Sequence, residues 1–318
     1  MTIVLGLVVT LTCMLGSFVV MGGHIGVLWQ PAEYVVICGA AIGTFIVANS
    51  PKVIKDAGAG IVEAFKGAEP KQADYLAVLG LLYTIMRELK AKSKNEVEVH
   101  IERPDESPIF AKFPEVLKNK ALTQFICDYF RLYIMGHARP DEIESLMDEE
   151  IQTVRHDNLK SYHALVTISE AFPALGIVAA VLGVIHAMSA LDQPPEVLGA
   201  LIGSAMVGTF SGILFSYALV SPVAAKIKVV REKKLRLYLL AKQAILAFMN
   251  GAMATVAVEH GRKMISAYER PSIDQVEANL SGANDGGGAG RKEAARELPL
   301  AGAEFRIQHL ERIGACNL

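Results

Sequence analysis

Four stretches of this chain carry no Asp, Glu, Lys or Arg, and nothing else in the sequence restricts its fold as much. Met1 to Ala32 is free of such charges, with an apolar part from about Thr2 to Gly22. Tyr34 to Pro51 is uncharged for 18 residues, Ala171 to Leu191 for 21 and Val197 to Ala225 for 29. A helix needs about 20 apolar residues to cross the hydrocarbon of a bilayer. Three stretches meet that length and the second lies at its short end. Four buried core helices of this purity would be unusual in one soluble chain. A secretory signal peptide would need a positive n-region and a small-residue cleavage site. Met1-Thr2-Ile3 has no cationic side chain, and a second apolar block follows at once. The chain therefore reads as four transmembrane helices.

Lys and Arg near span ends set the orientation. The connections Gly23 to Glu33 and Asp192 to Glu196 have none. Lys52 and Lys55 follow span two, and Lys226, Lys228, Arg231, Lys233, Lys234 and Arg236 follow span four. Both termini and the long middle segment are thus expected in the cytoplasm, with the two short connections outside. This divides the chain into a hairpin at 1–51, a cytoplasmic insert at 52–170, a second hairpin at 171–225, a cytoplasmic extension at 226–280 and a tail at 281–318.

The cytoplasmic parts read as helical. Leu76, Leu79, Leu82, Tyr83, Met86 and Leu89 follow a 3/4 spacing over Ala73 to Lys94. Pro104 and Pro108 mark a loop, and Val116 to Met135 is periodic again. Pro140-Asp141-Glu142 has proline in a first turn and acids at the positive end of a helix dipole. No breaker follows until Pro173, so that helix is expected to run into span three. Span four is expected to continue past Lys226 through Leu235, Leu239, Ile245 and Phe248. The fold class is therefore all-α: a four-helix transmembrane protein whose long helices extend into a helical cytoplasmic head. The run SGANDGGGAG at Ser281 to Gly290 has a flexible-linker composition, and no ordered structure is expected beyond it.

Composition excludes several functions. The 31 Lys and Arg against 33 Asp and Glu give a net charge of −2, without the basic footprint of a nucleic-acid binder. Cys13, Cys38, Cys127 and Cys316 show no ligand or disulfide spacing, and the spans hold no cluster suited to enzyme chemistry. Counted by these stretches, no span carries a carboxylate, although proton and cation pathways use one. His24 and His186, both near outer ends, are the only imidazoles there. If the chain conducts ions, a partner should supply the carboxylate.

Pro173 and Pro222 lie near the inner ends of spans three and four, where each removes a backbone hydrogen bond and can act as a hinge. Prolines without any such role are also common in membrane helices. Gly39 and Gly43 form one small-residue stripe, Ser204, Gly208 and Gly212 a second in span four, and Gly176 and Ala180 a third in span three. Such stripes let helices approach closely in lipid, within one chain or against a second protein. Thr209, beside the second stripe, offers a hydroxyl in an otherwise dry span, although such hydroxyls usually bond to their own helix.

Taken in order, LGALIGSAMVGTFSGILFSYALVSP, AFPALGIVAAVLGVIHAM, ESPIFAKFP, SLMDEEI and AVEHGRKMISAYERPS resemble the MotA family of flagellar motor stator proteins over about residues 1–280. The resemblance implies a homo-pentameric ring in the bacterial inner membrane around the single spans of two MotB chains. MotB would supply the membrane aspartate, and inward ion flow would drive the ring against the rotor protein FliG. It implies coupling roles for Pro173 and Pro222, and a place near the ion path for Thr209. Glu98 matches the acidic rotor contact. The basic one aligns with Lys94 from the left and Lys90 from the right, because the chain is about four residues shorter there than the family pattern. Glu150 is a weaker candidate on the same head. For each of these charges the residues alone favour a solvated helix face. No cofactor is implied. The coupling ion is expected to be H⁺, with Na⁺ left open.

Three other readings compete. The related ExbB and TolQ chains energise outer-membrane processes but lack this first hairpin and the SLMDEEI and ERPS motifs. A self-contained transporter would want charged midplane sites or a repeat. A structural scaffold fits the composition and would tolerate Pro173→Ala.

Overall fold

The computed structural model describes residues 2–136 and 139–284, and every regular element among them is helical. The all-α expectation holds. Four helical runs are long and apolar enough to cross a membrane: Ile3–Val20, Ile25–Ala48, Pro140–Met188 and Pro195–Met249.

The chain divides into two compact units, which cut it differently from the span boundaries. The first joins Met1–Lys71 to Asp141–Leu239, and the second joins Gln72–Pro140 to Leu240 onward.

In the first unit, α1 (Thr2–Val20), a 3-10 turn (Ile25–Leu28), α2 (Pro31–Ala48) and α3 (Pro51–Lys66) precede α9 (Pro140–Met188). The last of these is one unbroken helix of 49 residues with Pro173 inside it, as the lack of breakers predicts. Next come α10 (Pro195–Ile213), a π-helical stretch (Leu214–Val220) and α11 (Ser221–Met249). These three run on without a gap, again as expected. Proline opens α2, α3 and α10, where its missing N–H costs nothing. The buried cores here are small, with Ala57, Ala64, Leu165, Ala224 and Ile227 in one and Ile37, Ala41, Phe172 and Ala179 in another. Leu5, Val8, Ile42, Ile177, Leu182 and Ile185 stay exposed, which suits helices solvated by lipid.

In the second unit, α4 (Gln72–Ala91) is central. The 3/4 pattern predicts one apolar face, but the helix is buried nearly all round, with Ala77, Val78, Leu81 and Ile85 covered as well as Leu79 and Leu82. Around it lie α5 (Lys94–Glu102), α6 (Pro108–Ala111), α7 (Pro114–Lys118), α8 (Lys120–Met135), α12 (Ala254–Lys263) and α13 (Ile273–Asn284). The expected loop at Pro104 to Pro108 is instead a 3-10 turn followed by α6. Two of the motifs carry structure here. In ESPIFAKFP, the Ser107 hydroxyl accepts from the Ile109 N–H at 3.3 Å to cap α6, and Phe110 and Phe113 are buried. In EHGRK…ERPS, the buried Arg262 donates to both Glu259 oxygens, at 2.6 and 2.7 Å, and to the Pro271 carbonyl at 2.7 Å. The expected flexible tail starts too early, because Ser281 to Asn284 close α13. Its remainder, with Cys316, lies outside the described residues.

Candidate functional site

The seam between α9 and α10 gathers the membrane candidates. Gly176 faces Gly208 and Gly212 with no side chain between them: a Cβ on Gly176 would lie 2.9 Å from the Gly208 carbonyl oxygen and 3.1 Å from the Gly212 Cα. A Cβ on Gly212 would lie 2.6 Å from the Phe172 carbonyl oxygen. This stripe therefore packs within the chain. Gly39 and Gly43 do not, since nothing lies within 4 Å of a Cβ at either. Ser204 donates to the Gln30 side-chain oxygen at 3.2 Å and ties α10 to the turn before α2.

Thr209 is half-buried beside Gly208. Thr10, Thr44 and Thr167 all bond back to their own helices. No such bond is seen for Thr209 among the described residues.

Pro173 is half-buried and Pro222 exposed. Each cancels the N–H that would bond the carbonyl four residues back, which is Ser169 for the first and Ala218 for the second. The structure adds a feature that the sequence analysis missed. The turn before Pro222 is π-helical, and the Ser221 N–H reaches the Ser216 carbonyl. That carbonyl also accepts from the Ser169 hydroxyl at 3.1 Å, and the two hydroxyls lie 3.2 Å apart. A buried serine pair thus joins α9, one turn before Pro173, to the irregular turn that precedes Pro222.

The expectation that no span carries a carboxylate is corrected. Helix α2 starts three residues before the uncharged stretch, and this brings Glu33 into its first turn. Glu33 is 8% exposed, with its oxygens against Gly183 and Gly208: Cβ atoms there would lie 3.2 and 3.0 Å away. The reading of Pro140-Asp141-Glu142 as a helix start applies equally to Pro31-Ala32-Glu33 and would have found it.

Past the spans, α3 and α11 are held by charge. Arg231, 6% exposed, donates to Asp56 Oδ2 at 2.6 Å, Asp56 Oδ1 at 2.8 Å and the Asn158 carbonyl at 2.7 Å. Lys226 and Lys233 both bond Glu69, the latter at 2.6 Å. Burial pushes the Asp56 carboxyl up, but the Arg231 bonds and charge more than offset this and hold it below its usual range. Bonds from Lys226 and Lys233 hold Glu69 low as well.

In the second unit the charged candidates meet where α4 ends and α5 begins. The Lys90 ammonium lies 3.2 Å from the Ala252 carbonyl and 5.6 Å from the Phe248 ring centre. That of Lys94 lies 3.3 Å from the Ile134 carbonyl and 5.3 Å from the Tyr133 ring centre. Both lysines are exposed, and Glu98 is half-exposed one turn beyond Lys94 on α5. Glu150 belongs to the first unit, exposed on α9. Its charge acts on Tyr238, whose phenol is pushed up first by burial and then by Glu150. Cys127 is buried in α8, which pushes its thiol up to about 12 and leaves it inert. Among the described residues no group of three or more His, Cys, Asp and Glu could hold a metal ion.

A glycine seam between two long apolar helices, with a bonded serine pair below it and charged helices beyond, defines a multi-pass membrane protein. Residues 117–238 match the MotA/TolQ/ExbB proton channel family, and residues 4–93 match the N-terminal pattern of motility protein A. The chain is 41% identical over 280 residues to motility protein A of Salmonella typhimurium, covering 88% of this chain and 95% of that one. It is 31% identical over 277 residues to the chemotaxis protein LafT of Vibrio parahaemolyticus, covering 87% and 97%. Its fold matches a chain of the C. jejuni MotAB structure with a TM-score of 0.69 at 19% identity, over 85% of this chain and 98% of that one. The chain belongs to the motility protein A family. The match over residues 4–93 decides against the ExbB and TolQ reading, which lacks the first hairpin.

Proposed function

We propose that this chain is the ion-conducting stator subunit of a flagellar motor, working with MotB to turn inward proton flow into torque on the rotor. The observation that carries this reading is the near full-length likeness to motility protein A. The membrane geometry supports it. Among the described residues the acids that open the spans, Glu33 and Glu196, both sit in the first turn of a helix, so a mid-membrane proton acceptor is left to a partner. MotB is that partner, and its aspartate meets the α9–α10 seam beside Thr209. The chain is a multi-pass inner-membrane protein with both termini in the cytoplasm, five copies form a ring in the bilayer, and H⁺ is the coupling ion. No bond is made or broken in the chain, so its work is mechanical. A unit charge crossing 100 mV supplies about 2.3 kcal/mol, which suits a partner helix that slides past the chain rather than one that interlocks with it.

Movement of the seam at Pro173 and Pro222 passes to α9 and α11, and Glu98 with Lys90 or Lys94 engages FliG. Glu150 serves as an accessory contact. The test is a clean deletion of the gene. Flagellated but paralysed cells are expected, rescued by the intact gene and not by Pro173→Ala or Glu98→Lys made at normal levels. Normal swimming with failed outer-membrane uptake would overturn the stator reading.

A further inference from the structure

Glu33 is the one acid among the described residues buried within the span bundle, and the coupling scheme above does not use it. The residue is 8% exposed. It lies between three helices and points at two glycines, Gly183 of α9 and Gly208 of α10. Among the described residues no cation pairs with its carboxylate and no donor bonds it. The groups facing this place are few. Helix α10 offers only Glu196, exposed in its first turn, and α9 offers His186, exposed three residues beyond Gly183. The 3-10 turn has no charged residue, and His24 precedes it. Tyr34 on α2 is spent on the Leu28 carbonyl. No positive side chain stands near enough in sequence on any of these elements to hold the acid ionised. The helix dipole favours the anion, but weakly against the cost of a buried charge without a partner. Glycine at both facing positions keeps room for the carboxyl group, which a methyl group would crowd.

We propose that Glu33 is a proton-binding site at the outer end of the bundle: it holds one proton while α2, α9 and α10 pack as seen, and it exchanges that proton with the outside water when the packing opens. The chemistry is a single protonation, with carboxylate plus proton giving the neutral acid, and needs no other reactant. Gly208 is adjacent to Thr209, so the site lies on the outer approach to the seam where the ion path was placed. The inference thus rests on the stator reading for its direction and on the burial of Glu33 for its chemistry.

Two measurements separate these. The first is infrared spectroscopy of the full chain co-purified with its partner subunit, in vesicles at neutral pH. The wild type is expected to show a protonated-carboxyl band that shifts in D2O, and Glu33→Gln is expected to lose that component while the partner's own acid remains. An unchanged band in Glu33→Gln would mean that Glu33 is ionised, and the proposal would fall whatever the protein does. The second is rotation of tethered cells against external pH, in a host lacking its own stator, with membrane abundance matched. Glu33→Gln is expected to turn more slowly than wild type and to lose most of its response to external pH, and Glu33→Asp to restore that response. A pH profile in Glu33→Gln matching wild type would overturn the loading role. If the wild-type chain itself turned no motor, the stator reading would fail while the infrared result still judged the site.

Discussion

In the second unit, Leu79, Phe125 and Phe130 are buried to within 1% among other large side chains. In the first, Gly176 meets Gly208 and Gly212 backbone to backbone. The difference follows from the solvent. In water, removing apolar area drives packing, so large side chains hold the helices together. In lipid a leucine gains nothing by leaving the tails, so helices hold together where small residues let their backbones approach. The first unit therefore leaves large apolar residues on its surface, and the second buries them around α4.

The contrast breaks most visibly at Phe130. Phe130→Ala should cost about 3–5 kcal/mol, the usual penalty for emptying an aromatic core site, read as a lower unfolding temperature of the purified protein. Gly212→Ala, which adds one carbon to the seam, should cost about 1–3 kcal/mol and slow or stop rotation at normal abundance. Gly43→Ala should change stability by less than about 0.5 kcal/mol, because the site is open. A large loss of rotation from Gly43→Ala at unchanged stability would show that another chain covers that stripe.

A fourth test concerns the charged helices. Asp56 and Glu69 are both held below their ordinary values. Their contribution is therefore complete above about pH 4, the ordinary carboxylate range, and is lost as pH falls through their lower folded values. The unfolding temperature should drop on acidification below that range, and Glu69→Gln should flatten the drop. Small effects on stability are also expected for Lys90→Ala and Lys94→Ala. Exposed cation contacts of this kind are worth at most about 1 kcal/mol, so stability should hardly change. Whichever substitution slows rotation marks the rotor contact.

Much of this was legible in the residues. The charge-free stretches located the spans, and the absence of any breaker between Pro140 and Pro173 gave the unbroken α9, because both signals follow directly from solvation and backbone geometry. Glu33 was missed because a count of uncharged residues ends where the charge begins, whereas the helix begins at Pro31. The all-round burial of α4 was hidden because Leu76, Tyr83 and Leu89 mimic one face, while Ala77 and Gly80 carry little hydropathy and are buried by their neighbours. The serine pair was out of reach, since Ser169 and Ser216 are 47 residues apart in sequence and hydroxyls in helices are ordinary.

The π-helical turn at Leu214–Val220 left no compositional trace either, yet it sets the angular phase of all that follows it. An α-helix advances about 100° per residue, and a wide turn absorbs extra chain without breaking the rod. Removing one residue from that stretch would rotate Lys226, Arg231 and Lys233 about 100° around the axis, away from Asp56 and Glu69. Span four and its extension thus behave as a shaft with an adjustable collar, and the collar decides which way the far end points.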